Sequence, residues 1–328
     1  MTPRAGSNAS DEPQPLAAVL TALDLEPGGD DTFVGTSLPQ LHGRVYGGQV
    51  LAQAIIAAQR TLSSDLSARL IHSLHGYFLR PGDLDQPITF VVEQLRDGGS
   101  FSARRTHALQ SDVPILSMIA SFQTEQAGVE HSDPMPEVPA PPELASSVDL
   151  FDSIDHPAAR FFYRNGAFDL RHVGSSLFLA PDPERRSSQA LWMRARGSVP
   201  ADQHLQRALL TYACDQVMLE PVLRAHGAHW RTRGASIASL DHAMWWHRDV
   251  DMNAWLLFVQ DSPAAQGGRG LGRASVFSEG GHLVATIAQE GMIRLPQPER
   301  SQQSEDSGLL IARPGDGRAQ AARVTDTP

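Results

Sequence analysis

Three side chains in this sequence could together turn a water molecule into a nucleophile: Asp215, Ser239 and Gln289. A carboxylate can take the water's proton, or itself attack a carbonyl carbon to form an anhydride. A hydroxyl and an amide, each able to donate and accept, can fix its orientation. Taken singly, each residue has an ordinary reading: a solvated aspartate on a polar helix face, a strand serine bonded locally, and a glutamine at a sheet edge. Asp215 is set apart by its neighbours Cys214, Val217, Met218 and Leu219. They read as helix, and aspartate is a poor interior helix former because it competes for backbone hydrogen bonds.

What joins the three is an internal repeat. Ile71-His72-Ser73-Leu74 matches Ile237-Ala238-Ser239-Leu240, and 239 − 73 is 166. Gln123 closes Ile119-Ala120-Ser121-Phe122-Gln123 as Gln289 closes Ala285-Thr286-Ile287-Ala288-Gln289, and 289 − 123 is again 166. The same offset carries Tyr46 onto Tyr212 and Gln49 onto Asp215. One offset shared by different elements predicts a duplicated fold. A position that is an amide in the first copy and a carboxylate in the second predicts that only the C-terminal copy does chemistry.

The remaining candidates are weaker. His242 and His247 are five apart on an expected strand, so they face opposite sides and make a poor metal pair; both read as structural. Arg96 and Arg269 stand in glycine-flanked turns, where they could meet phosphates or simply be solvated. Gly47-Gly48 opens an expected helix, where bare backbone N–H groups could hold an oxyanion. Cys214 adjoins Asp215, whose charge disfavours a thiolate, so a small core residue is expected. No nucleophile elbow, phosphate loop or dinucleotide fingerprint occurs. All 27 basic residues are arginine, which excludes Schiff-base chemistry and a lysine base. A single cysteine excludes an intramolecular disulfide. A net charge of −10 argues against a nucleic-acid surface. No cofactor or metal is called for, and no stretch is apolar enough to predict a membrane span. The polar start has no signal-like core, so a cytoplasmic protein is expected.

The elements that must position these groups follow from periodicity. Helices are expected near Leu16 to Leu25, Tyr46 to Thr61 and Asp202 to Ala225, the last kinked or shortened by Pro221. Strands are expected near Thr32 to Thr36, Leu70 to Leu79, Ile88 to Leu95, Phe101 to Gln110 and Ile115 to Gln123. The second set is Phe161 to His172, Ala190 to Arg196, Ser236 to Trp246, Ala254 to Gln260, Arg273 to Ser278 and His282 to Arg294. The division expected is a disordered arm (1–13), an N-terminal unit (14–125), a proline-rich linker (126–155), a C-terminal unit with the chemistry (156–295) and a disordered tail (296–328). One long helix laid on a curved antiparallel sheet, twice over, is an α+β tandem (double) hot-dog: two antiparallel sheets, each wrapped around a central helix.

Several stretches resemble the type II acyl-CoA thioesterases. They are Arg44-Val45-Tyr46-Gly47-Gly48-Gln49-Val50-Leu51-Ala52-Gln53-Ala54, Ser73-Leu74-His75-Gly76-Tyr77-Phe78-Leu79-Arg80-Pro81-Gly82, Arg96-Asp97-Gly98 and Ala120-Ser121-Phe122-Gln123. The second copy adds Tyr212-Ala213-Cys214-Asp215, Ser239-Leu240-Asp241-His242-Ala243-Met244-Trp245-Trp246-His247-Arg248 and Gln289-Glu290-Gly291-Met292-Ile293-Arg294. The resemblance spans residues 14–295. It implies a double hot-dog enzyme that hydrolyses fatty acyl-CoA to fatty acid and CoA. The family's water-holding Asp, Thr or Ser, and Gln fall on Asp215, Ser239 and Gln289. Ser239 stands where Thr is common in bacterial members, and Trp246 where Phe is usual. Gly47, Gly48, His75, Arg96 and Arg269 are the candidate substrate contacts, acyl-CoA is the expected partner, and a homodimer or homotetramer is expected. Two other classes would use such a fold: an enoyl-CoA hydratase, and a non-catalytic acyl-CoA-binding protein. The hydratase pattern of His five after Asp is absent, since position 220 is Glu220. A binding module would need no carboxylate.

Overall fold

The structure, a computed structural model, describes residues 14–41 and 43–296. The arm expected over 1–13 and, Pro296 apart, the tail expected over 296–328 lie outside the described residues. The first compact unit closes at Leu295. Its elements are α1 (Pro15–Leu23), β1 (Glu26–Gly29), β2 (Thr32–Gly35), α2 (Gly47–Arg60), β3 (Leu70–Phe78), β4 (Ile88–Asp97), β5 (Phe101–Gln110) and β6 (Val113–Gln123). A 3₁₀ turn at Pro141–Glu143 follows, then α3 (Ser147–Ser153), α4 (Pro157–Asn165), β7 (Phe168–His172) and β8 (Ser188–Ala195). The remainder is α5 (Gln203–Cys214), α6 (Glu220–Ala225), β9 (Ser236–Ser239), β10 (Asp241–Trp246), β11 (Leu256–Gln266), β12 (Arg269–Ser278) and β13 (Leu283–Arg294).

Helix α2 is alanine-rich and free of charge until Arg60, and every residue from Gly48 to Ala58 is buried. A helix apolar on all sides belongs in a core. It lies on β4, β5 and β6 and against α5. Its Leu51 and Ile55 are fully buried, each contributing about 1.5–3 kcal/mol. The strands beneath it alternate, with every second residue of β5 buried, as a period of two requires. Ser111 and Asp112 take left-handed φ of 48° and 63° and close the β5–β6 hairpin in two residues.

The two sheets expected, one for each copy, join edge to edge into one continuous sheet. The strand order β1-β2-β4-β5-β6-β3-β10-β13-β12-β11-β8-β7 runs unbroken through both copies, with β9 added on β13. The join is an antiparallel pairing of β3 with β10, in which Gly76 faces His242. The 166-residue offset also carries Gly76 onto His242, so the pseudo-two-fold axis passes through that pair. Fusion at this seam removes two open edges, each a row of unpaired N–H and C=O groups.

Three local expectations are corrected. The helix expected from Asp202 to Ala225 stops at Cys214 and restarts at Glu220, so Asp215 is the C-cap of α5 and not an interior residue. Pro221 lacks an N–H and its ring would strike the carbonyl of residue 217, so it is tolerated only in the first turn of a new helix. The strand expected over Phe161 to His172 is helical as far as Asn165. Pro157 opens α4, and the His156 ring accepts from the Ala158 N–H; only Phe168 to His172 pairs, with β8. The strand expected from Ser236 to Trp246 breaks at Leu240 into β9 and β10. Asp241 Oδ1 takes the Glu290 N–H there, substituting for a ladder bond.

Candidate active site

The turn from Asp215 to Leu219 rests on a floor of glycines. A Cβ on Gly272 would lie 2.0 Å from the Met218 carbonyl oxygen, one on Gly291 2.4 Å from Leu219 Cδ1, and one on Gly270 2.5 Å from Val222 Cγ1. Gly270 faces Gly291 across the β12–β13 ladder, and Gly272 faces Gln289. The chain between α5 and α6 can therefore press directly onto backbone beside Gln289. A buried polar network from the neighbouring strands also holds it. Gln260 Nε2 donates to the Val217 carbonyl at 3.3 Å, and Gln189 bridges Gln260 to Glu220. Glu220 also takes hydrogen bonds from His172 and Trp230. Burial alone would raise the Glu220 pKa, but the His172 charge and these bonds outweigh it and hold the carboxyl below its ordinary range.

On that platform the three singled-out side chains meet. Ser239 Oγ donates to Asp215 Oδ1 at 3.0 Å. Gln289 Nε2 donates to Asp215 Oδ1 and to Ser239 Oγ, both at 2.8 Å. Asp215 Oδ2 accepts the Gly48 N–H at 2.8 Å. That last bond crosses between the copies: the carboxylate of the second sits at the start of α2 in the first. A carboxylate there is favoured by the helix dipole and by first-turn donors. Helix α2 begins without a side-chain cap, so its first N–H groups are available to other acceptors. Glycine is required at this point. A Cβ on Gly47 would meet Asp215 Oδ2 at 3.0 Å and the Phe78 ring at 3.1 Å, and one on Gly48 the Tyr212 carbonyl at 2.6 Å. Tyr46 OH donates to that same carbonyl at 2.7 Å. Its phenol is kept protonated by burial and by the Asp215 charge, both of which raise its pKa.

The other predicted residues separate by place. Gly47 and Gly48 adjoin the carboxylate. His75 stands exposed on β3, on the face opposite buried Leu74, with its ring edge-on to Trp245 at 5.2 Å. Arg96 is exposed on β4. Arg269 is exposed and paired with Glu290 at 3.0 Å. None of these three donates to the cluster. Cys214 is fully buried, and burial and Asp215 push its thiol pKa up. His247 bonds Thr286 Oγ1 on an exposed face.

His242 is the residue that sequence reasoning missed. It is 1% exposed and its Nδ1 lies 2.6 Å from Gln289 Oε1. Its burial comes from strand pairing at the pseudo-two-fold axis, which no local pattern records. Among the described residues no group of three or more His, Cys, Asp or Glu could hold a metal ion, and no helix is long and apolar enough to cross a membrane.

A duplicated hot-dog with a carboxylate, a hydroxyl and an amide converging at the start of the opposite copy's helix defines a class. Residues 183–292 match the family model described as acyl-CoA thioesterase, and residues 37–123 the one described as acyl-CoA thioesterase N-terminal domain. The chain is 35% identical over 288 residues to acyl-CoA thioesterase 2 of Haemophilus influenzae, covering 86% of this chain and 99% of that protein. It is 35% identical to human acyl-coenzyme A thioesterase 8 over 89% of this chain and 94% of that one. The crystal structure of an acyl-CoA thioesterase II from Mycobacterium marinum superposes with a TM-score of 0.71 at 39% identity, over 85% of this chain and 99% of that one. The chain belongs to the type II acyl-CoA thioesterase family, a family of enzymes that cleave thioesters.

Proposed function

We propose that this protein hydrolyses fatty acyl-CoA to free fatty acid and CoA, with Asp215 as the base that activates water. The observation that carries this reading is the hydrogen-bond inventory of the carboxylate. Oδ1 already accepts from Ser239 and Gln289, which fills its two lone-pair sites. Among the described residues Oδ2 accepts only from Gly48, leaving one lone pair for a water. Both hydrogens of the Gln289 amide are engaged, so Gln289 and Ser239 act by fixing the carboxylate and hydroxyl and not by holding the water alone.

In the proposed reaction the water oxygen attacks the thioester carbon as Asp215 Oδ2 takes its proton. Negative charge moves to the carbonyl oxygen. Among the described residues the Gly47 N–H makes no hydrogen bond, and it is the proposed donor to that oxygen. The tetrahedral species collapses, the C–S bond breaks, CoA leaves as a thiolate, and the proton held on Asp215 passes to the thiolate or to solvent, restoring the carboxylate. A thiol pKa of about 8.5 makes a strong general acid unnecessary. His75, Arg96 and Arg269 lie outside the cluster, so any contact they make is proposed to be with the nucleotide end of CoA. The same proposal places the enzyme in the cytoplasm as a homodimer or homotetramer. The exposed apolar face carrying Tyr77 and Ile119 on the first copy's strands supports further association.

Product analysis in ¹⁸O-labelled water tests the reaction class. One free CoA and one fatty acid carrying a single ¹⁸O per turnover are expected. A hydroxyacyl-CoA product, or unchanged ligand recovered from a stable complex, would overturn the proposal.

A further inference from the structure

We propose that His242 is a positioning residue for this hydrolysis: by donating from Nδ1 to Gln289 Oε1 it fixes which way the Gln289 amide faces. The inference rests on the proposed role of Asp215. A glutamine amide can sit in its pocket in two orientations, and only one serves this cluster. The end next to Asp215 must be the NH₂, because an ionised carboxylate can only accept. Gln289 Nε2 therefore donates to Asp215 Oδ1 and Ser239 Oγ, and Oε1 is turned to the far side. The partner 2.6 Å away on that side is His242 Nδ1, so Nδ1 must carry the proton. Gln289 is fully buried and His242 1% exposed, leaving water little room to substitute. Among the described residues the other ring nitrogen meets only Cys214 Sγ, at 3.6 Å. The Cys214 thiol itself donates to the Thr211 carbonyl at 3.3 Å. Sulfur is a weak partner and does not compete for the ring's orientation.

The pseudo-symmetry makes the same point independently. The first-copy counterpart of His242 is Gly76, the residue it pairs with. The counterpart of Gln289 is Gln123, which among the described residues makes no hydrogen bond to a histidine and donates to Gln126 Oε1 at 3.3 Å on the surface. The copy without the carboxylate also lacks the device that would orient its glutamine. Without His242 the buried Oε1 loses its donor. The flipped amide, which sets oxygen against carboxylate, then becomes competitive, and Ser239 and Asp215 lose their common support.

The test is a double-mutant cycle on kcat with acyl-CoA. His242→Leu removes the donor at similar volume and should lower kcat about 10- to 100-fold, the size expected for one lost buried hydrogen bond. KM should stay within about twofold of wild type, since no substrate contact is lost. His242→Asn, whose amide N–H can reach Oε1 from the same side, should restore most of the rate. In a Gln289→Ala background His242→Leu should cost less than about twofold, because the group it orients is gone. Equal losses in both backgrounds, or wild-type kcat in His242→Leu, would overturn the proposal. His242→Ala runs the same cycle if the leucine variant does not fold. Failure of the underlying reading shows up elsewhere, as undiminished turnover in Asp215→Asn.

Discussion

The two copies of the fold have met the same position with opposite chemistry. In the first, Gln49 is fully buried. Its Nε2 donates to the Thr36 carbonyl at 2.7 Å, and its Oε1 accepts the Leu38 N–H at 3.0 Å. Both ends of the amide are used to pin the loop ahead of α2. In the second, Asp215 is partly exposed, and its carboxylate accepts three hydrogen bonds, from Gly48 at Oδ2 and from Ser239 and Gln289 at Oδ1. The helices differ accordingly. Helix α2 is continuous, while its counterpart is broken into a turn and α6. Where the second copy has Gly270 and Gly272 beneath that turn, the offset gives Arg104 and Thr106 in the first. Thr106 Oγ1 reaches up to the Ala54 carbonyl, and Arg104 donates to Thr61 Oγ1. One copy fills the space under its helix with side chains and is a support. The other empties it, lowers the chain, and places a carboxylate where the support's helix begins.

Loss of the carboxylate itself apart, the largest expected effect comes from refilling that space. Gly272→Ala must displace the Met218 carbonyl, and a shift near 1 Å at a catalytic group costs about 100-fold in rate. A kcat loss of that order is expected, against less than about twofold for Thr106→Ala in the first copy. Comparable kcat for the two variants would remove the glycine floor from the comparison. Next, Gln289→Ala should lower kcat about 10- to 100-fold through lost buried hydrogen bonds, while Gln123→Ala leaves it unchanged. A matching loss in Gln123→Ala would mean that both copies turn over substrate.

Gln49→Ala sharpens the contrast in the other direction. Its cost should fall on stability, about 1–3 kcal/mol from unsatisfied buried groups, read by urea denaturation. Its kcat should stay within about threefold. A rate loss equal to that of Asp215→Ala would contradict the division of labour. A smaller effect concerns pH. The Glu220 carboxyl is held below its ordinary range in the fold, so its stabilising contribution is complete above the unfolded-state pKa and is lost as pH falls through the folded value. Thermal melts below about pH 4.5 should lose more stability in wild type than in Glu220→Gln, and parallel curves would exclude that role. Smallest of all, Ser239→Thr keeps the hydroxyl and should leave kcat within about threefold. A large loss would show that the added methyl group disturbs the bond to Asp215 Oδ1.

Much of this contrast was readable before any coordinates. The offset of 166 residues and the change from Gln49 to Asp215 are properties of the string, and periodicity is enough for α2 and β5. The misses share a physical origin. The break after Cys214 depends on Pro221 and also on glycines that arrive from strands more than fifty residues later. Phe161 to Asn165 carries the aromatic content of a strand, but Pro157 and the His156 cap start a helix there. His242 looked like a strand histidine because its burial is created by β3 pairing with β10. Its partner Gln289 lies on the neighbouring strand β13. Local pattern reports what a segment can become, whereas the glycine floor and the orienting histidine exist only once distant strands are in register.

The most direct measurement is the kcat of Asp215→Asn for acyl-CoA, followed by free-thiol release, with KM and melting temperature recorded alongside. Asparagine preserves the shape and cannot take a proton, so kcat should fall about 100-fold or more, with KM and melting temperature close to wild type. Turnover within about twofold of wild type would contradict the assignment of the chemistry to the second copy's carboxylate.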